Sequence, residues 1–156
     1  MNDAAPAEAL VDDGHCFGCG PHSNVGLKLR FEELDDRSVV GNVTVAQPYQ
    51  GWRGVVHGGI VALMLDETMA YAAAALGYLG VTGEMKMRFK KPVPTNEPLV
   101  LSGKVLWQRR NVFGIEAKVA DRAGKVLAFG QGSFVSHSKL APGQRLGHVE
   151  DGDGSA

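Results

Sequence analysis

The feature that most constrains this fold is a long apolar segment between Gly58 and Gly80. It contains no proline and no run of β-branched residues, and it is dominated by Ala, Leu and Met, which are good helix formers. The segment predicts a helix over about Gly58–Leu79, ended by Gly77 or Gly80. Because it is apolar on almost all sides, we expect most of the helix surface to be buried.

Two charges argue against reading this segment as a membrane span. Asp66 and Glu67 lie near its middle, and a central Asp alone costs roughly 3 kcal/mol on insertion scales. Met1 opens an acidic, polar stretch without the basic and apolar regions of a secretory signal, and two cysteines cannot form a disulfide framework. We therefore expect a cytoplasmic protein without membrane insertion.

Length, charge and composition limit the remaining classes. A chain of 156 residues predicts one domain, and an apolar content of 44% excludes disorder of the whole chain. The net charge of -1 provides no basic field for nucleic-acid binding. We expect a domain over 15–136, with a mobile N-terminal tail over 1–14 and a flexible C-terminal tail over 137–156.

Alternating apolar and polar residues predict strands on both sides of the helix. The predicted strands are Gly26–Leu34, Ser38–Ala46, Thr82–Val93, Leu99–Gln108, Val112–Asp121 and Lys125–Val135. Short connections between the last strands require antiparallel pairing. The layout predicts an α+β fold, with the helix packed on one face of a curved antiparallel sheet.

The segment His57-Gly58-Gly59 leads into the start of this helix. The first N–H groups of a helix have no internal partners, and the macrodipole places partial positive charge there. Glycines allow a ligand to approach this backbone closely, so Gly58 and Gly59 are candidates for an oxyanion site. Asp66 follows two turns later in apolar surroundings, where an ionised carboxylate is costly, and is therefore a candidate functional residue.

The spacing of these candidates has a consequence for assembly. At about 1.5 Å per residue, Gly58 and Asp66 are separated by roughly 12 Å along the helix axis. One helix cannot place both against a single carbonyl, whereas two antiparallel copies in a symmetric dimer can. The sequence thus predicts that an active site, if present, is shared between two chains.

Two neighbouring segments carry a family resemblance. The run GWRGVVHGGIVALMLDETM, followed by VTGEMKMRFKKPVPTNEPLVLSGKV, resembles the hotdog-fold acyl-CoA thioesterases, in particular the phenylacetic-acid-pathway branch. The resemblance covers about Cys16–Val135. It implies five to six strands around a central helix and hydrolysis of an acyl-CoA or acyl-carrier thioester without a cofactor, CoA being part of the substrate. It also implies a homodimer or a dimer of dimers.

The resemblance also implies roles for individual residues. The Gly58 N–H, with or without that of Gly59, would polarise the thioester carbonyl. Asp66 of the facing subunit would act as nucleophile or as general base on water. Thr82 matches a position where the family has Ser or Thr that positions the water or the carboxylate.

Two loop residues have less specific roles. His57 would order the loop or hydrogen-bond the thioester, and a purely structural hydrogen bond is an equal alternative. Gln50 is the candidate for a loop amide that relatives carry before the HGG motif, although Gly51 stands at the first-choice alignment position.

Substrate binding has its own candidates. Cationic side chains could contact CoA phosphates near the dimer seam, although a charged solvent-exposed strand face is the alternative. Trp52 could line the acyl pocket or pack against the rest of its loop. The substrate-binding candidates are Trp52, Arg88, Lys90, Lys91 and Arg110.

Several alternatives stay open. A non-catalytic acyl-CoA binding or sensing module could use the same fold, because fold does not fix function. Glu67, about 100° around the helix from Asp66, would face solvent, an interface or the surroundings of the site, and it is the alternative candidate for the catalytic carboxylate. The acyl group, and the choice between nucleophile and general base, are not determined by the sequence.

The N-terminal segment from His15 to His22 contains two cysteines and two histidines. These are zinc-ligand types, but four ligands crowded into eight residues would hardly form one tetrahedron, and zinc sites usually draw a second pair from a distant segment. We therefore expect a compact structural turn here and no metal.

Overall fold

The computed structural model describes residues 10–147, which form one six-stranded sheet and one long helix. The elements are β1 (Glu32–Glu33), β2 (Val39–Thr44), a short 3-10 helix (Gln47–Tyr49), α1 (Gly58–Ala75), β3 (Tyr78–Phe89), β4 (Pro98–Arg109), β5 (Val112–Asp121) and β6 (Val126–Lys139). The strand order is β1-β2-β4-β5-β6-β3, and every neighbouring pair is antiparallel. The predicted α+β architecture is confirmed.

Helix α1 packs against the sheet and contacts strands β2 to β6. Its inner face, including Met64 and Leu65, meets fully buried strand residues such as Phe113 and Ile115. Burying one such large side chain stabilises the fold by about 1.5–3 kcal/mol. No residue from 61 to 75 is exposed, which confirms the expected burial of the helix. Within residues 10–147, no helix combines the length and apolarity needed to cross a membrane.

The helix ends four residues earlier than predicted. Leu76 is the C-cap residue, and Gly77 adopts a φ of 88°, a left-handed conformation that suits glycine and stops the helix. Tyr78 then pairs with Lys139 as β3 begins. Tyr78 and Leu79 are apolar enough for a helix, but they pair with strand β6 instead.

The prediction of the first strand is largely wrong. Only Glu32–Glu33 of the segment from Gly26 to Leu34 pairs in the sheet. Lys28 has a φ of 50°, which is incompatible with a continuous strand, and the N–H of Leu29 donates to Gly18 O at 2.9 Å. The backbone of this segment is therefore hydrogen-bonded to the N-terminal turn (residues 15–22) instead of to a neighbouring strand.

The chain ends show further differences in extent. Strand β6 continues to Lys139, past the predicted strand end at Val135. The Gly147 N–H donates to the Asp12 carboxylate at 2.9 Å, and the Tyr71 hydroxyl donates to Leu146 O at 3.3 Å. The tails expected at 1–14 and 137–156 stay predictions, and their residues 1–9 and 148–156 lie outside the described residues.

Candidate active site

His57 forms the N-cap of helix α1. Its Nδ1 accepts a hydrogen bond from the Gly59 N–H at 2.9 Å, and its carbonyl oxygen accepts from the N–H groups of Ile60 and Val61. This side chain therefore satisfies one of the orphan donors of the helix start. The amide of Gly59, one of two candidate oxyanion donors, is already engaged within the chain.

The Gly58 amide differs from its neighbour. Among residues 10–147 its N–H has no acceptor, and the residue is exposed at the first position of the helix. A methyl group added at this glycine would lie 3.9 Å from the Phe89 ring, at the end of β3. A free N–H at the positive end of a helix dipole is a suitable donor for a developing oxyanion.

Asp66 lies half-buried in the middle of α1, and its Oδ1 accepts a hydrogen bond from the Thr82 hydroxyl. Thr82 belongs to β3, where the pairing with β6 shifts register between Thr82 and Glu84. Such bulges re-aim side chains next to functional sites. The fold thus brings together two predicted residues that are 16 positions apart.

Gln50 braces the loop before the helix. Its Oε1 accepts from the Gly54 N–H at 3.2 Å, and its backbone forms an isolated bridge with Val56. The neighbouring Gly51 packs closely against His57, since a Cβ there would lie 3.3 Å from the histidine Cα. The amide oxygen of Gln50 is therefore occupied within the loop, and its proposed role toward substrate stays a prediction.

The candidate CoA-binding side chains are all exposed. Within the described range none of the four cations forms an ion pair. Lys90 and Lys91 directly follow Phe89, which lies beside Gly58, whereas Arg110 lies apart in the turn between β4 and β5. Trp52 is 83% exposed in a single chain. The cations of the β3 end are thus available for a ligand near the helix start.

Glu67 is the residue whose surroundings the sequence did not reveal. The Cys16 thiol donates to Glu67 Oε1 at 3.1 Å. Burial raises the pKa of the Glu67 carboxyl, hydrogen bonds from the thiols of Cys16 and Cys19 oppose this, and the nearby charge of Asp66 adds to the increase. Burial likewise raises the pKa of the Cys19 thiol. No periodicity or spacing in the sequence links these two segments.

Two cavities lie along the helix. One of about 400 Å³ lies between the N-terminal turn and the start of β3, and its walls include Glu67, Leu79 and Phe134. Another of about 540 Å³ lies beside Ala75, at the C-terminal end of the helix. Neither cavity is lined by Asp66 or Gly58.

Residues 53–128, which include the HGG loop, the whole of α1 and β3, match the family model of the thioesterase superfamily. The central part of the chain is therefore similar to the thioesterase superfamily. The RHA08564 protein, a member of this superfamily, has a crystal structure that aligns with a TM-score of 0.75 and 35% identity. The alignment covers 78% of this chain and 60% of that protein.

This chain also resembles relatives with more specific names. It is 27% identical over 113 residues to acyl-coenzyme A thioesterase 13 of Homo sapiens, covering 70% of this chain and 79% of the relative. Two structures share the fold at TM-scores of 0.67: a Streptococcus pneumoniae thioesterase protein with coenzyme A, 18% identical, and the E. coli PaaI protein, 19% identical. They cover 72% and 73% of this chain, and 88% and 83% of their own lengths. The hotdog fold is therefore confirmed, and thioester hydrolysis is the general reaction class these relatives support.

Proposed function

We propose that this protein hydrolyses an acyl-CoA thioester to a free acid and CoA, within a homodimer or a dimer of dimers that shares its active sites. The superfamily supports the reaction class. The naming of one relative as an acyl-coenzyme A thioesterase, and the coenzyme A in the structure of another, support CoA as the thiol. The reaction as proposed uses no cofactor, and the expected cytoplasmic location stays a prediction.

The observation that carries this proposal is the pairing of Asp66 with Thr82. The Thr82 hydroxyl occupies Oδ1 of the carboxylate, which fixes the orientation of the side chain. The second carboxylate oxygen, Oδ2, is then available to attack the carbonyl or to take a proton from water. A carboxylate placed in a largely apolar helix and oriented in this way is suited to catalysis rather than to solvation.

The Gly58 amide supplies the second element of the mechanism. As the thioester carbonyl becomes tetrahedral, negative charge develops on its oxygen, and a preorganised N–H stabilises that charge. Gly59 is the weaker candidate, because His57 Nδ1 already accepts from its amide. We therefore assign the oxyanion contact to Gly58, and we assign His57 to hold the helix start in place.

Helix geometry supports a shared site. Residues 58–75 form one uninterrupted helix, so Gly58 and Asp66 stay roughly 12 Å apart along the axis. The thioester carbonyl would therefore contact Gly58 of one chain and Asp66 of its partner. The exposed cations Arg88, Lys90 and Lys91 continue from the Gly58 edge and would bind the CoA phosphates.

A panel of acyl-CoA esters tests the proposal, with released CoA measured by a thiol reagent. The wild-type protein should hydrolyse at least one aromatic, short-chain or medium-chain ester, and Asp66→Asn should lose roughly 100-fold or more in kcat. Asp35→Asn, in the exposed turn between β1 and β2, is the matched carboxylate control and should retain activity.

Two results would contradict this assignment. If the wild-type protein binds acyl-CoA esters saturably but releases no CoA, it is a binding module on the same fold. If Asp66→Asn remains as active as Asp35→Asn, the reacting group lies elsewhere.

A further inference from the structure

Three ionisable residues cluster beside Asp66 and have no role in the proposed reaction. Cys16 and Cys19 lie in the N-terminal turn, and Glu67 lies in the middle of α1. One ligand atom from each of the three residues lies within 4.8 Å of the other two. Two sulfurs and a carboxylate oxygen are the ligand types that zinc takes in proteins, at about 2.0–2.3 Å from the ion.

The sequence argued against a metal because all candidate ligands fell in one short run. The structure supplies the distant ligand that was missing. Glu67 comes from a different element, 51 positions after Cys16, and already contacts the Cys16 thiol at 3.1 Å. The cysteine pair and the helix carboxylate thus form the two-segment arrangement that is typical of zinc sites.

The turn is held against Glu67 before any ion binds. The Gly20 N–H donates to Cys16 O at 2.8 Å, and the Leu29 N–H donates to Gly18 O at 2.9 Å. A Cβ on Gly18 would lie 2.2 Å from Glu67 Cγ, so only glycine permits this approach. Because both segments are fixed, little ordering would oppose ion binding.

The carboxylate also has no cation of its own. The ion pairs of residues 10–147 involve Asp13 and Glu116, and none involves Glu67. A half-buried carboxylate is costly unless it is paired or coordinates a metal. The cavity of about 400 Å³ reaches all three ligands, so solvent can complete the coordination.

We propose that Cys16, Cys19 and Glu67 bind one Zn²⁺ ion, which fastens the N-terminal turn to helix α1. Each cysteine loses its thiol proton to solvent when the ion binds. The ion stabilises the fold through this link and takes no step in thioester hydrolysis. The proposal is therefore independent of the proposed function.

Cobalt substitution tests the site without an activity assay. The full-length protein is treated with a chelator, reduced and titrated with Co²⁺, and the thiolate-to-cobalt charge-transfer band is recorded. We expect one equivalent of Co²⁺ per chain, displaced by Zn²⁺, and a rise in Tm with Zn²⁺ that a chelator reverses.

Variants identify the ligands. Cys16→Ser should lose the charge-transfer band or weaken it strongly. Glu67→Gln, which keeps the shape of the side chain, should weaken Co²⁺ binding beyond the roughly 10–100-fold cost of losing an outer partner. Asp13→Asn, an exposed carboxylate in the same segment, is the matched control and should bind as the wild type does.

Two results would overturn the proposal. One is the absence of stoichiometric Co²⁺ or Zn²⁺ binding by reduced, folded wild-type protein, with folding checked by circular dichroism. The other is unchanged affinity in Glu67→Gln together with loss of binding in His15→Ala or His22→Ala, which would place the ion within the N-terminal run alone.

Discussion

Asp66 and Glu67 are adjacent in sequence, yet they occupy two different environments. Asp66 faces strand β3, where a hydroxyl group donates to it. Glu67 faces the N-terminal turn, where a thiol donates to it and a glycine lets the turn approach. The rotation of about 100° per helical residue is enough to separate the two sides.

The contrast assigns consecutive carboxylates of one helix to two different proposed tasks. On the β3 side, the proposed task is reaction with a ligand, and the free Gly58 amide of a second chain would complete the site. On the turn side, the proposed task is to hold the chain together. Substitutions can perturb each side separately.

The largest effect is expected on the β3 side, from removal of the Gly58 amide. Gly58→Pro should cost roughly 10²–10³-fold in kcat, because the oxyanion donor is lost. Proline should fit, since His57 has φ -56° and ψ 135°, the extended conformation preferred before proline. Gly58→Ala keeps the N–H, has ordinary contacts, and should retain activity.

Mixing makes the same variant a test of the shared site. Gly58→Pro and Asp66→Asn chains co-refolded in equal amounts should regain about a quarter of wild-type activity, because half the dimers are mixed and one of their two sites is intact. If mixed dimers form and activity stays at the level of the parents, both residues act within one chain.

A smaller loss is expected from Thr82→Val, which removes the hydroxyl that orients Asp66. A hydrogen bond to a charged group is worth about 1.5–3 kcal/mol, so kcat should fall roughly tenfold or more with little change in KM. Thr82→Ser should restore most of the rate. A parallel loss in kcat for both variants, with unchanged Tm, would show that the hydroxyl does not act on the carboxylate.

On the turn side, Gly18→Ala should lower the free energy of unfolding by about 1–3 kcal/mol through overpacking against Glu67. Gly130→Ala is the matched buried control, because its Cβ would meet Leu65 at ordinary distances of 3.4–3.7 Å. Urea denaturation of the two variants gives the comparison. Equal denaturation midpoints for the two variants would mean that Gly18 does not contact Glu67 closely in solution.

The smallest effect concerns the helix start. His57→Ala should destabilise the protein by about 1 kcal/mol, since the cap to the Gly59 N–H is lost. His57→Asn, a favoured N-cap residue, should recover this stability. Denaturation midpoints with a constant m-value measure both variants. If His57→Asn has the same denaturation midpoint as His57→Ala, the side chain of His57 does not stabilise the protein by capping the helix.

The helix and the later strands were predictable because their signals are local. The apolar run starting at Gly58 needs no partner to favour a helix, and β5 occupies the predicted range Val112–Asp121. The strand prediction failed for the segment after Gly26. An alternating pattern indicates which side chains are buried and which are exposed, but it does not identify the backbone with which the segment forms hydrogen bonds. That backbone belongs to the N-terminal turn, whose carbonyl groups at Phe17 and Gly18 accept hydrogen bonds from the N–H groups of Leu27 and Leu29.

The sequence by itself determined the fold class, the helix start at Gly58 and the unusual position of Asp66, since each depends on composition and spacing along one segment. Only the tertiary structure decided which residues meet these groups. Thr82 reaches Asp66 through a register shift in β3, and the cysteine turn reaches Glu67 through a close approach at Gly18. Such contacts depend on packing between segments far apart in the chain, and no local pattern encodes them.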